Sequence, residues 1–144
     1  MIQVAHLLEV PVLASEQNVP RMGKSDESLE LVEAFEKMAF SCAGCDAMIE
    51  RLFSLGRRTV ALVGIETHIC VTQTALDLME KGFEVGVCAD AVSARSVDRH
   101  KLGMERMRDA GIGPIHTEAL AYEWMKTAEH PKFREALQIV KANP

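Results

Sequence analysis

The sequence predicts an α/β fold, an open and mostly parallel sheet with helices on both faces. Short apolar runs alternate along the chain with amphipathic stretches, as strand–helix–strand units require. One run, Val60–Ile65, is apolar throughout and carries β-branched residues, so it reads as a strand buried on both faces. Directly after it the period changes: Val71, Ala75, Leu78 and Met79 share one helical face. With 144 residues, 48% apolar and 26% charged, the chain can bury one sizeable core, and residues 1–144 read as a single domain.

The elements follow in order. Residues 1–8 read as the end of a helix, and Val10–Ala14 as a strand with Pro11 at its start, where a missing N–H is tolerated. A loop over 16–24 contains Pro20 and Gly23. Ser25 or Asp26 is placed to cap a helix whose apolar stripe is Leu29, Val32 and Phe35. Met38–Phe40 reads as a short strand. A helix from about Asp46 turns Ile49, Leu52 and Phe53 inward and stops at Gly56. The Val60 strand and the Cys70 helix come next; Gly82 ends that helix, and Glu84–Ala89 is a further strand. Ser96 is placed to cap a helix carrying Leu102, Met104 and Met107, which ends at Gly111. Ile112–His116 is the last strand. Thr117 caps a short helix with Leu120 and Trp124, and His130-Pro131 opens the final helix, striped by Phe133, Leu137 and Val140.

Composition excludes several classes. The net charge is -5, and no basic cluster is long enough to track phosphates, so no nucleic-acid partner is expected. Met1–Leu13 is apolar but lacks a basic start and is interrupted by Glu9 and Pro11, so it is not read as a signal peptide. No apolar run is long enough to span a bilayer, and no membrane association is expected. Of the four cysteines, Cys42 and Cys45 form a C-x-x-C pair with no second pair to complete a zinc site. It reads as incidental, and the cysteine pattern fits a reducing cytoplasm.

Cys70 is the residue with chemistry. A thiol in the first turn of a helix faces the positive end of the dipole and free N–H groups. Both favour the thiolate, the nucleophilic form, and the same N–H groups can hold an oxyanion. Cysteine is also among the most buried residue types, and packing is its commoner role.

Gly64–Val71 (GIETHICV) resembles the nucleophile segment of the isochorismatase-like cysteine hydrolases. Gly82–Ser96 (GFEVGVCADAVSARS) is similar to that family's next strand and loop, Leu8–Gln17 (LEVPVLASEQ) to its second strand, and Lys37–Ser41 (KMAFS) to its catalytic-lysine segment. The four segments stand in the family's order and span nearly the whole chain. The resemblance implies a three-layer α/β/α fold with strand order 3-2-1-4-5-6.

The resemblance also assigns roles. Cys70 is the nucleophile, and Lys37 is the cation that stabilises its thiolate. A cis peptide joins Ile65 and Glu66, and the backbone N–H groups of Glu66 and Cys70 form the oxyanion hole. Gln17 and His68 line the pocket. On residue pattern alone Lys37 would pass for a surface lysine. Asp90, at the end of its strand, reads as the cap of the following turn, and Arg95 and Arg99 as solvated arginines. The nicotinamidase branch of the family carries an Asp-His-His metal site after the second strand. Here Ser15–Asn18 stands there, so no metal and no cofactor are expected.

The implied function is hydrolysis of an amide-like or imide-like C–N bond of a small molecule through a thioester on Cys70. The family's first strand carries an aspartate that acts as base. This chain opens at Met1–Leu8, which resembles the helix after that strand, so the first strand and its aspartate are expected to be missing. A misassigned start, a closed-up sheet or a partner chain would each account for the gap, and the first is favoured on physical grounds. The alternative function is a catalytically impaired member with a binding or structural role. A homo-oligomer is expected from the family.

Overall fold

The computed structural model describes residues 1–31 and 33–142. Two parallel ladders form the middle layer. In the first, β1 (Ala14–Gln17) pairs with β2 (Ala34–Lys37), from Ala14 opposite Ala34 to Gln17 opposite Lys37. In the second, β3 (Thr59–Ile65) pairs with β4 (Glu84–Ser93), which pairs with β5 (Pro114–Ile115). Among the described residues no ladder joins β1 to β3. The fold is a three-layer α/β/α sandwich whose sheet is divided at that interval.

Helices α4 (Thr72–Glu80) and α5 (Val97–Asp109) pack together, with α4 against β4. Their apolar faces meet the sheet in a core of Val71, Ala75, Val87, Val92, Met107 and Ile112. A second group of helices, α1 (Ile2–Leu7), α6 (Thr117–Met125) and α7 (Phe133–Ala142), buries Val4, Ala5, Leu120, Ala121, Met125 and Ala136. There α6 packs on β4 and α7, and α1 packs on α7. Two further helices, α2 (Val19–Met22) and α3 (Asp46–Ser54), lie along the first ladder's connections. Gly82, at φ +87, takes the left-handed turn that lets the chain leave α4 for β4.

The structure corrects several sequence expectations. β3 is not buried on both faces: Val63 is 42% and Ile65 70% exposed, because one edge of β3 has no neighbouring strand in the described chain. The helix expected to carry Leu29, Val32 and Phe35 is absent from the described residues. Asp26 instead caps a single 3-10 turn, Glu27–Leu29, and Phe35 belongs to β2; Val32 lies outside the described residues. A stripe at helical spacing does not exclude a strand, since both readings use the same apolar residues. The first strand begins at Ala14 rather than Val10, and Met38–Phe40 is a bend after β2 rather than a strand. Leu102 faces solvent at 64% exposure; Gly103 and Met107 are the buried positions of α5. Phe53 is 54% exposed, yet its ring stacks at a tilt on Phe83 with centroids 5.0 Å apart. The α6 cap is His116, whose ring accepts the Glu118 N–H at 3.2 Å, and α7 begins at Phe133.

Candidate active site

Open α/β sheets gather their functional groups at the carboxyl ends of the strands. Cys70 lies just beyond the carboxyl end of β3. The strand ends in a cis peptide between Ile65 and Glu66, and the chain then makes one wide π turn, Thr67–Val71, before α4 begins at Thr72. The Glu66 carbonyl accepts the N–H groups of both Ile69 (3.0 Å) and Val71 (3.3 Å), the second being the i→i−5 bond that widens the turn. Cys70 therefore precedes α4 rather than opening it. It is half-buried and is not disulfide-bonded.

The turn is pinned through Thr67, which is fully buried. The Thr72 hydroxyl donates to the Thr67 carbonyl at 2.6 Å, and the Thr67 hydroxyl is 3.1 Å from Nδ1 of His100 on α5. Glu66 turns its carboxylate toward Arg95, accepting that residue's backbone N–H at 3.1 Å. This hydrogen bond, with help from the Arg95 charge against some desolvation, holds the Glu66 carboxyl below its ordinary range. The same oxygen lies 3.6 Å from Arg95 Nε and 3.6 Å from His68 Nδ1. His68 Nδ1 is buried and makes no hydrogen bond.

Lys37 ends β2 and is buried, at 6% exposure. Its ammonium donates to Gln17 Oε1 at 2.5 Å, to the Phe40 carbonyl at 2.8 Å and to the Ala39 carbonyl at 3.0 Å. Gln17 sits opposite it in the ladder and returns a hydrogen bond from Nε2 to the Met38 carbonyl at 2.8 Å. An ammonium has three donors, so all of them are spent on these oxygens. The structure thus brings Gln17 and Lys37 together, and joins Glu66, His68 and Cys70 in one short segment. Among the described residues no hydrogen bond connects Lys37 with Cys70. The two halves are linked instead by the Cys42 N–H, which donates to Thr74 Oγ1 on α4 at 2.9 Å.

Asp90 does not end its strand or cap the next turn. It lies inside β4, and both its oxygens accept from Thr117, from the backbone N–H at 2.9 Å and from the hydroxyl. Burial pushes this carboxyl up, but the Thr117 hydrogen bonds outweigh it and the net direction is down. Burial and the Asp90 charge push the Cys88 thiol up to about 11, which leaves it an inert core residue. A cavity of about 580 Å³ is lined by Val4, Asp90, His116, Thr117 and Ala121 among others, and Cys70 is not in its wall. Among the described residues no cluster of three or more His, Cys, Asp or Glu side chains is placed to hold a metal ion. No helix of the described residues is long and apolar enough to cross a membrane.

Sequence reasoning missed Thr67, Thr72, His100 and Gly103. The one available signal was Gly103 itself, a glycine in the interior of a helical pattern, which implies a close packing partner.

Comparison with known proteins gives the same frame. The isochorismatase domain family matches residues 1–119. Isochorismatase domain-containing protein 1 of Salmo salar is 37% identical over 146 residues, covering 99% of this chain and 52% of that protein. The chain spans about half the length of that relative and of its Danio rerio counterpart, also 52% covered. Among solved structures, the MAR1 ribonuclease of Caenorhabditis elegans superposes with a TM-score of 0.91 at 33% identity, over 99% of this chain and 75% of the other. The ycaC gene product of Escherichia coli, described as an octameric hydrolase of unknown specificity, superposes at 0.81 with 15% identity, over 99% of this chain and 79% of the other; that likeness is one of fold.

Proposed function

The chain belongs to the isochorismatase domain family, and on that premise we propose that it hydrolyses an amide-like or imide-like C–N bond of a small molecule, with Cys70 as the nucleophile. The observation that carries this reading is the placement of Cys70: a half-buried free thiol on a widened turn between the carboxyl end of a parallel strand and the start of a helix.

In the proposed reaction a general base takes the Cys70 proton and the sulfur attacks the carbonyl carbon. The carbonyl π electrons move to oxygen, and the backbone N–H groups of Glu66 and Cys70 hold the resulting oxyanion. Its collapse breaks the C–N bond, and the nitrogen leaves with a proton as ammonia or an amine. Water then hydrolyses the thioester, releasing the acid and restoring the thiol. Lys37 acts through its charge rather than by a hydrogen bond to sulfur, because its three donors are already engaged. Gln17 fixes that ammonium, and His68, whose Nδ1 lies 3.6 Å from the Glu66 carboxylate, takes the pocket-lining place that the family resemblance implies. In the family resemblance the base is an aspartate on a strand between β1 and β3, the interval that no ladder spans among the described residues.

The proposal extends to a single domain, a reducing compartment and a homo-oligomer. All four cysteines are unpaired, which supports the second. The octameric Escherichia coli neighbour is the precedent for the third, and light scattering reads it directly.

The test is ammonia or amine release from a panel of small amides and imides, with mass spectrometry for an acyl adduct on Cys70. Turnover lost in Cys70→Ala, with an adduct confined to Cys70 in the unsubstituted chain, is expected. RNA belongs in the same panel, given the name of the Caenorhabditis elegans structure. RNA cleavage that survives Cys70→Ala would replace the amidase reading. Absence of turnover and adduct together would leave the binding or structural role.

A further inference from the structure

Helix α5 lies against the backbone of the turn that carries Cys70, and two of its residues meet that turn directly. A Cβ built on Gly103 would stand 2.9 Å from His68 Cα, 3.0 Å from His68 N and 3.1 Å from the Thr67 carbonyl carbon. All three are backbone atoms, which cannot rotate away as a flexible side chain would. One turn earlier on the same helix, His100 Nδ1 meets the Thr67 hydroxyl at 3.1 Å. Gly103 and Thr67 are both buried, so neither contact is a surface accident. Gly103 has no conformational need to be glycine; it sits in the middle of α5 at a helical position where alanine would be the better helix former.

We propose that Gly103 and His100 are positioning residues for Cys70: the missing side chain lets α5 seat the turn, and the imidazole fixes its rotation through Thr67. This rests on the reading of Cys70 as nucleophile. A methyl group at position 103 forces helix and turn apart by about half an ångström, since carbon atoms in contact prefer roughly 3.5–4.0 Å. Misplacement on that scale matters, because a shift of about 1 Å at a reacting group costs about 10²-fold in rate. Gly103→Ala is therefore expected to lower the reactivity of Cys70 by roughly tenfold.

The probe is iodoacetamide, in whose reaction the Cys70 sulfur forms a bond to the CH₂ carbon and iodide leaves. Alkylation of Cys70 and of Cys42 is followed on the same chain by peptide mass spectrometry, with the thermal midpoint recorded beside it. In the unsubstituted chain Cys70 is expected to outpace Cys42 at pH 7. In Gly103→Ala the Cys70 rate falls roughly tenfold. The Cys42 rate stays close to its original value, while the overpacked contact lowers the thermal midpoint by several degrees. A merely structural role would change the rates of both cysteines together.

His100→Ala is expected to show the same selective loss, and His100→Asn to restore the rate, because the amide places a polar atom where Nδ1 was. Should Gly103→Ala fail to fold, this pair decides: loss and rescue support the proposal, and equal rates in all three chains overturn it. A fast Cys70 that is unmoved by either substitution overturns the positioning role while leaving the proposed function intact. A Cys70 no faster than Cys42 in the unsubstituted chain overturns both.

Discussion

Replacing Lys37 with methionine removes the ammonium while keeping a long apolar stem in the same space. Three oxygens lose their donor: Gln17 Oε1, and the carbonyls of Ala39 and Phe40. Hydrogen bonds to a charged group contribute about 1.5–3 kcal/mol each, so a plain sum would be about 5–9 kcal/mol. That sum is too large. Ala39 and Phe40 lie on the exposed segment after β2, and water replaces the lost donor at both carbonyls. The part-buried Gln17 bond is the one that is fully forfeited, and removing a buried charge recovers some desolvation. The expected loss is about 2–4 kcal/mol. With a slope of about 2 kcal/mol per molar in urea, the unfolding midpoint should fall by roughly 1–2 M at an unchanged slope. Gln17→Leu tests the partner: the double variant should be less damaged than the two single effects added, by at least about 1 kcal/mol. A midpoint within about 0.3 M of the original, or strict additivity, would refute the argument that this network holds the end of β2 in place.

Three further outcomes are expected. Met107, at 1% exposure, is the largest fully buried side chain of the core; Met107→Ala should cost about 2–5 kcal/mol in a urea melt, and a loss under about 1 kcal/mol would show that the core collapses into the space. Thr72→Val leaves the buried Thr67 carbonyl without its hydroxyl donor, and should cost about 1–3 kcal/mol with faster amide exchange in Thr67–Val71; unchanged exchange would sink it. Asp90 is held below the ordinary carboxyl range in the folded state, so its stabilising contribution is present above the unfolded value near 3.9 and is lost as pH falls through the lower folded value. The stability gap between the unsubstituted chain and Asp90→Asn should therefore be level from pH 6 to 8 and close below about pH 4; a gap that persists unchanged to pH 3 would contradict this.

Much of the site was legible because its signals are local. The apolar run before Cys70, the change of period after it and Gly82 at the turn out of α4 all lie within about two dozen residues, and each reflects a backbone preference that holds before the chain folds. From α3 onward the order of strands and helices followed from the same kind of pattern, and so did the capping of α5 by Ser96. Lys37 was different. Nothing in its neighbourhood in sequence marks it as buried, and only resemblance singled it out. Its burial comes from Gln17, twenty residues away, meeting it across a parallel ladder.

The amino-acid sequence by itself determined the class of fold, the position of the one cysteine set at a strand–helix junction, and the family to which the chain is similar. These depend on period, chain punctuation and local residue order. Tertiary structure alone decided the rest. It divided the sheet between β1 and β3, exposing Val63 and Ile65 although their composition reads as core, because burial of a strand depends on neighbours that its own sequence does not contain. It placed Cys70 on a widened turn rather than a regular first helical turn, and set Gly103 and His100 against that turn from a helix thirty residues later. Periodicity reports which face of an element is apolar; which backbone that face will meet, and how closely, is settled only when distant elements pack.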